Sequence, residues 1–567
     1  MQNDTNSLLY QSRKEAEKWL TYPIHSLDKK KIKVLLNKKN QEELIDCFHN
    51  KLQFGTGGIR GKIGIGTNRI NIYTIGFATQ GLSNYLKQKF KNNISVAIAY
   101  DSRKFSKDFA TQSAIIFSSN NIKSYIFPEL RPTPELSFAV RKLNCNCGIV
   151  ITASHNPKEY NGYKVYWEDG GQITYPHDNK IIYEVNKLNN IGDINTDKNQ
   201  DLIEIISKKI DRSYLNKIKN LSMLNNKESK LKIVYTPLHG TGITQVPNAL
   251  KIFGFKNVTI TKSQESPNPN FPTVPFPNPE DENALSEGIK DLIETKSDIL
   301  LATDPDADRL GVVIRKNNRC ITLNGNQLAS IIIYYTLLKK KEKNTLYNNS
   351  FVAKTIVTSH LIEKICDEFN VKCYSTLTGF KYIAQLIREK PNEKFIAGCE
   401  ESYGYLVDDF VRDKDAIISS AIICEIANWC KNKNEDLNDF LNIIYKKYGF
   451  YFEKLHTIKL DGVKRKKKID KIMSEFRNNP PKYIFNDKTS KIIDYNKIET
   501  NSIIKSKSNV LQFITKNNHK LTIRPSGTEP KIKFYFSLYD TNQNNEKKLS
   551  LLVEKEINEI ENKYAQV

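Results

Sequence analysis

Three times along this chain a strand-like apolar run leads into a helix-like stretch and then into a second strand. That cadence admits few folds. The run SVAIAYD (95–101) precedes KDFATQSAIIFSSN (107–120) and KSYIFPE (123–129). LKIVYTP (231–237), VPNALKIFG (246–254) and NVTITK (257–262) repeat it, as do SFVAKTIVTS (350–359), HLIEKICDEF (360–369) and KCYSTL (372–377). Strands alternating with helices predict α/β units with largely parallel sheets. The tail reads differently. LQFITK and KIKFYFSLYD are strand-like and EKKLSLLVEKEINEIENKY is an amphipathic helix, which predicts a smaller α+β domain from about residue 456. Polar, lysine-rich stretches near 186–230 and 454–470 are the boundary candidates. The proline-rich stretch 266–283 reads either as a linker or as an ordered loop across one domain.

At 567 residues the chain is too long for one core, and a length prior suggests roughly three to five domains. The polar start MQNDTNSLLY does not read as a signal peptide, and no apolar run approaches a membrane span. The nine cysteines are scattered, which predicts free thiols in a reducing cytosol, and therefore a cytoplasmic protein with no membrane partner. The net charge of +23 raises nucleic-acid binding as a function class. The lysines are dispersed, however, and a positive field also attracts a phosphorylated small molecule, so a phosphorylated substrate and no nucleic acid is the expectation.

Four polar strings sit beside the predicted strands. TASHNP places Ser154 on a turn after CGIVI, at the carboxyl end of a buried strand, where ligands collect in open α/β sheets. A serine hydroxyl needs a base or a metal to act as a nucleophile. No GxSxG elbow surrounds it, which argues against an α/β-hydrolase. DPDADR places Asp304, Asp306 and Asp308 on alternate loop positions. Three carboxylates so close repel one another without a cation, and hard oxygen ligands suit Mg²⁺. Leu310 and Arg315 occupy the places where an EF-hand needs glycine and glutamate. Arg309 either holds a phosphate or pairs with an aspartate.

RPSGTEP sets Arg524, Ser526, Gly527 and Thr528 between two strands, as an anion loop or a plain hairpin. Arg524 offers a bidentate fork and Gly527 permits close approach. FGTGGIRGK (54–62) fails the Walker pattern because no Ser or Thr follows Lys62. GCEESYGY carries Glu400, Glu401 and Ser402, which suit adjacent sugar hydroxyls or the first turn of a helix. Nearby, VRDKDA carries Lys414, a candidate general acid/base.

Together, in this order and over nearly the whole chain, these strings resemble the α-D-phosphohexomutase family. DPDADR and NGYKVYW are most similar to the branch that contains phosphoglucomutase-2, phosphopentomutase and glucose-1,6-bisphosphate synthase. The resemblance implies three similar α/β domains with mixed sheets plus a smaller C-terminal α+β domain around a central cleft. It divides the chain at 1–205, 206–325, 326–455 and 456–567. It implies Ser154 as the phosphoserine nucleophile and Ser154, Asp304, Asp306 and Asp308 as ligands of Mg²⁺. Arg60, Lys164, His155 and Lys414 fall near the reacting centre, with Arg309 following the metal loop. Thr378 and Gly379 in LTGFK, with Glu400 and Ser402, would read the sugar. Arg524, Ser526, Gly527 and Thr528 would hold the phosphate that is not transferred.

The implied activity is interconversion of glucose 1-phosphate and glucose 6-phosphate, with glucose 1,6-bisphosphate as intermediate and activator, by a monomer or homodimer. Pro305 and Ala307 stand where many members have glycine, and Ala416 where some glucomutases do. Those departures keep mannose and pentose phosphates, and bisphosphate synthesis, open. A phosphatase, releasing the phosphoryl group to water, is the rival within phosphate chemistry.

Overall fold

The computed structural model describes residues 2–37, 41–52, 58–224, 229–317, 319–460, 465–499, 503–504, 506–526 and 531–564. The chain forms two compact units, residues 1–322 with 408–425 and residues 323–407 with 426–567.

The first unit holds two mixed sheets. Strands β1 (Gly58–Lys62), β2 (Ser95–Tyr100), β3 (Lys123–Ile126), β4 (Cys147–Ile151), β5 (Tyr160–Trp167) and β6 (Ile203–Ile205) lie in the order β1-β5-β4-β2-β3-β6. β2 runs parallel to β3 and β4, whereas β5 is antiparallel to β4 and β1. Every residue of β2 and of β4 is buried. That is why these strands read as continuous apolar runs rather than alternations: both faces are covered.

The second sheet joins β7 (Ile233–Thr236), β8 (Val258–Ile260), β9 (Ile299–Thr303), β10 (Leu310–Lys316) and β11 (Arg319–Leu323) in the order β11-β10-β9-β7-β8. The helix Glu282–Glu294 covers it, with Leu285 and Leu292 packed on Val234 and Leu300. The proline-rich stretch 266–283 is an ordered loop. Its Phe271 and Val274 are buried with Leu238 and Ala284 in a small core of their own. Sequence reasoning missed the start of the chain. Helices Gln2–Thr21, Ser26–Asn37 and Glu42–Phe48 enclose a separate apolar cluster around Trp19, Ile32 and Leu44.

The second unit holds the other two sheets. β12 (Ser350–Thr355), β13 (Lys372–Thr376), β14 (Lys394–Glu400) and β15 (Gly404–Val407) follow the order β13-β12-β14-β15. β12 is parallel to β13 and β14, and β15 is antiparallel to β14. The fourth sheet is antiparallel, in the order β16-β21-β20-β19-β18-β17. Its strands are β16 (Phe450–Lys459), β17 (Tyr483–Ile484), β18 (Asp487–Asp494), β19 (Leu511–Thr515), β20 (Lys520–Pro525) and β21 (Lys531–Asp540). The lysine-rich stretch from 454 is therefore sheet before it is connection, because β16 pairs with β21 along its whole length. The predicted C-terminal helix runs Glu546–Tyr564 and buries Leu549, Val553, Ile557 and Ile560. The architecture is thus three α/β domains with mixed sheets and a fourth, C-terminal domain. No helix among the described residues is long and apolar enough to cross a membrane.

One close backbone approach positions the aspartate loop. A Cβ on Gly240 would lie 2.4 Å from the Pro305 Cα. The adjacent Thr241 N–H donates to the Pro305 carbonyl at 2.8 Å. Gly240→Ala is expected to cost about 1–3 kcal/mol through overpacking, read as a lower melting temperature. Gly192→Ala, whose new methyl meets nothing closer than 3.5 Å, serves as the control and is expected to melt within a degree or so of wild type, roughly ±0.5 kcal/mol.

Candidate active site

Ser154 lies three residues beyond the carboxyl end of β4, with φ of 52°. A left-handed serine is strained unless its surroundings fix it, and here they do. The Ser154 N–H donates to the Thr152 hydroxyl at 2.8 Å. The Arg103 guanidinium donates to the carbonyls of Ser154, Asn156, Pro157 and Tyr160. Arg103 is itself fully buried, with Asp101 at 3.3 Å and the Phe271 ring at 5.0 Å. Arg60 on β1 donates to the Asn156 side chain at 2.8 Å, fixing the same turn from the other side.

That turn aims the serine at the aspartates. Ser154 Oγ donates to Asp304 Oδ2 at 2.7 Å and lies 3.2 Å from His155 Nδ1. Asp304 follows β9 directly, and the loop returns through Ala307, at φ of 51°, to β10. The other oxygen of Asp304, Oδ1, accepts from the N–H groups of Asp308 and Arg309, both at 3.1 Å. Asp306 Oδ2 accepts from Thr133 Oγ1 at 2.9 Å and Lys164 Nζ at 2.6 Å. Asp308 Oδ2 faces Lys164 Nζ at 3.0 Å and Lys414 Nζ at 3.2 Å. Lys164 comes from β5, and Lys414 from the loop before the helix Ala416–Lys431. Asp413 orders that loop, accepting from Tyr166 at 2.7 Å and from Lys414 Nζ at 3.0 Å.

The electrostatics of the cage are uneven. Burial, then the charges of Asp308 and Asp306, push the Asp304 carboxyl well above its ordinary range. Burial works against ionisation of Asp308 too, but Lys164, Lys414 and Arg309 overcome it and hold that carboxyl well below the usual range. Burial lowers Lys164 and the Asp306 and Asp308 carboxylates raise it by more. The three aspartates are completely or almost completely buried and offer one oxygen each within 4.8 Å of one another. Among the described residues, nothing donates a hydrogen bond to Asp306 Oδ1 or Asp308 Oδ1. Buried carboxylate oxygens are rarely left so. Two partnerless carboxylate oxygens in a cluster of three buried acids, with the Asp304 carboxyl raised by burial and then by its neighbours' charge, fit a hard divalent cation.

Arg309 pairs with Glu280 of the proline-rich loop and lies 3.9 Å from Asp308, an acid pairing rather than an open phosphate fork. The first unit therefore brings together Ser154, His155, Arg60, Lys164, Lys414, Arg309 and the three aspartates. Sequence reasoning missed Arg103, Thr133 and Asp413. The string DSR at the carboxyl end of β2 was a usable signal for Arg103, because that edge of an open sheet carries the site. Thr133 carried none, since only the fold brings it to Asp306.

In the second unit, Glu400 ends β14 and accepts from the Gly379 N–H at 3.1 Å. That bond joins the Thr378–Gly379 turn to the Glu400–Ser402 turn. GCEESYGY is thus strand, turn and strand, not a helix start. Arg524 lies near the end of β20, and the Ser526 N–H donates to the Lys531 carbonyl at 2.8 Å, closing a hairpin to β21. Gly527 and Thr528 lie outside the described residues.

Arg103 yields a sharp expectation. Arg103→Met strips four carbonyls of their donor and leaves Asp101 buried without its partner, a loss of about 3–5 kcal/mol. Arg103→Lys is expected to recover part of the melting temperature, because one ammonium cannot replace a planar fork. Equal stability of all three proteins would contradict this role.

Comparison with known proteins agrees with the geometry. Models of the phosphoglucomutase/phosphomannomutase alpha/beta/alpha domains I, II and III match residues 51–191, 212–317 and 324–448. A phosphoglucomutase of Staphylococcus haemolyticus (strain JCSC1435) is 39% identical over 505 residues, covering 87% of this chain and 91% of that protein. One from Staphylococcus aureus (strain N315) is 38% identical over 537 residues, covering 92% and 95%. A crystal structure of a phosphoglucomutase/phosphomannomutase family protein from Burkholderia thailandensis shares the fold with a TM-score of 0.66 at 17% identity, covering 89% of this chain and 96% of that one. The chain belongs to the phosphoglucomutase/phosphomannomutase family, the α-D-phosphohexomutases.

Proposed function

We propose that this chain interconverts glucose 1-phosphate and glucose 6-phosphate through a phosphorylated Ser154 and a glucose 1,6-bisphosphate intermediate. The observation that carries this reading is the Ser154 hydroxyl 2.7 Å from Asp304 within the three-aspartate cage. In the resting cycle Ser154 carries the phosphoryl group and gives it to a free hydroxyl of the sugar monophosphate. The bisphosphate reorients, and its other phosphoryl group returns to Ser154. The serine oxygen gives up the phosphorus in one half-reaction and attacks it in the other, so the enzyme ends as it began.

Asp304, Asp306 and Asp308 would hold the cation, Mg²⁺ in this reading; when bound it supplies Lewis-acid stabilisation of charge on phosphoryl oxygens. Lys164 and Lys414 add fixed positive charge at the same place, which favours a transferring phosphoryl group. His155, whose Nδ1 lies 3.2 Å from the serine oxygen, would take the proton from the attacking hydroxyl, and Lys414, as the ammonium, would give one to the oxygen that leaves phosphorus. Glu400, Ser402, Thr378 and Gly379 would position sugar hydroxyls. Arg524, Ser526, Gly527 and Thr528 would clamp the phosphate that is not in transfer.

Ser154→Ala is expected to keep the wild-type melting temperature and lose mutase turnover by at least about a thousandfold. Wild-type turnover in that variant would overturn the mechanism. Chelation with EDTA is expected to abolish activity and added Mg²⁺ to restore it; full activity after chelation would remove the metal from the account. A panel of glucose, mannose, ribose and deoxyribose 1-phosphates, each with catalytic glucose 1,6-bisphosphate, tests the sugar. The expected result is the highest kcat/KM for glucose and negligible release of inorganic phosphate. Preference for a pentose phosphate would reassign the substrate, and stoichiometric phosphate release would make the protein a phosphatase.

A further inference from the structure

Three of the nine cysteines meet on one face of the third sheet, away from Ser154 in sequence and unused by the mutase chemistry. Cys373 on β13 pairs with Val352 of β12, and Cys399 on β14 pairs with Lys354 of the same strand. Val352 and Lys354 are two apart, so both cysteines share the β12 face that carries Lys354. The helix Leu361–Glu368 covers that face, because its Glu363 reaches Lys354 Nζ at 2.9 Å and Ser375 Oγ of β13 at 3.3 Å. Cys366 is three residues after Glu363 and so lies on the same side of the helix. Its thiol feels both of the other sulfurs, Cys373 more strongly than Cys399. Cys366 and Cys399 are buried, whereas Cys373 is half-buried on β13, the edge strand of the sheet.

We infer that Cys373 and Cys366 form an oxidisable dithiol, with Cys373 the sulfur that meets an oxidant and Cys366 the one that resolves it. Exposure decides the order. Of the three, only Cys373 is partly exposed, and thiol oxidation requires a thiolate that the oxidant can reach. Its neighbour Cys373, and then burial, hold Cys366 as a thiol until Cys373 has reacted. The oxidant is a hydroperoxide. The Cys373 thiolate attacks its outer oxygen, the O–O bond breaks, and hydroxide or alkoxide leaves and takes up a proton from water. Cys373 is then a sulfenic acid. The Cys366 sulfur attacks the Cys373 sulfur, forming S–S, and the sulfenic hydroxyl leaves with the Cys366 proton as water. Two thiols lose two electrons, and one hydroperoxide gains them.

The consequence is a covalent tie between the helix and the edge strand that leads into the Leu377–Gly379 turn. The cytosolic reductant pool would reverse it, as it does for accessible disulfides. No such tie is available to the other buried cysteine pair close in sequence. Cys145 and Cys147 are both buried, with burial pushing the Cys145 thiol up to about 12 and the Cys147 thiol higher still, so neither offers an oxidant a thiolate.

The test uses the intact chain and hydrogen peroxide, followed by alkylation of remaining thiols and peptide mass mapping. The expected result is loss of two alkylated thiols and of two hydrogens, confined to a peptide or cross-linked pair containing Cys366 and Cys373, and reversed by dithiothreitol. Cys373→Ser is expected to leave Cys366 fully alkylated after the same treatment, and Cys399→Ser to leave the cross-link in place. Alkylation of both Cys366 and Cys373 after peroxide, a cross-link between Cys366 and Cys399 instead, or over-oxidation of Cys373 without a cross-link would overturn the assignment. Because the wild-type map decides the matter, failure of a variant to fold would not rescue it.

Discussion

Three carboxylates held within one small, water-poor space are the constraint on which the first unit turns. Without positive charge among them, Asp304, Asp306 and Asp308 would force the loop apart. The protein supplies that charge from three directions: Lys164 on the sheet that carries the serine, Lys414 on a loop returned from far along the chain, and Arg309 within the loop itself. Each cation belongs to a different stretch of sequence. The cage is therefore complete only where the two α/β domains of this unit meet. The Thr133 N–H and hydroxyl, donating to the Asp306 carbonyl and carboxylate at 2.9 Å each, make the same link through neutral groups.

The serine turn answers a second constraint. In the proposed mechanism Ser154 has to stay put while its phosphoryl cargo changes, and its left-handed conformation needs surroundings that fix it. Arg103 solves this with a single buried group that holds four carbonyls, so the turn is positioned by backbone contacts that do not depend on what the serine oxygen carries. The hydroxyl is left for chemistry, and the guanidinium is left out of it.

Much of this was legible in the sequence for a physical reason. Buried parallel strands read as unbroken apolar runs, so β2, β7 and β12 were found at or close to their observed bounds, and polar strings at their ends marked the site. Alternate aspartates in DPDADR marked the cluster of three buried acids. What escaped notice has equally physical causes. The N-terminal helices carry few apolar residues per turn and bury them against one another, so their signal is diluted by lysine. Arg103 looked like any arginine, because a guanidinium buried against carbonyls has no sequence pattern. The glutamates of GCEESYGY suited the first turn of a helix as readily as sugar hydroxyls, and the strand, turn and strand observed there remove the helix. The proline-rich stretch read either as a linker or as an ordered loop; it is ordered, and the Arg103 guanidinium lies over its Phe271 ring.

The central claim is that the oxygen of Ser154, and no other, carries the phosphoryl group between the two ends of the sugar. The direct measurement is phosphopeptide mapping of the protein after incubation with glucose 1,6-bisphosphate and Mg²⁺, then after chase with glucose 1-phosphate. The account predicts one phosphate, on Ser154, that the chase diminishes as label appears in the sugar. A protein that takes up no phosphate, or takes it up at another residue with turnover intact, would contradict it.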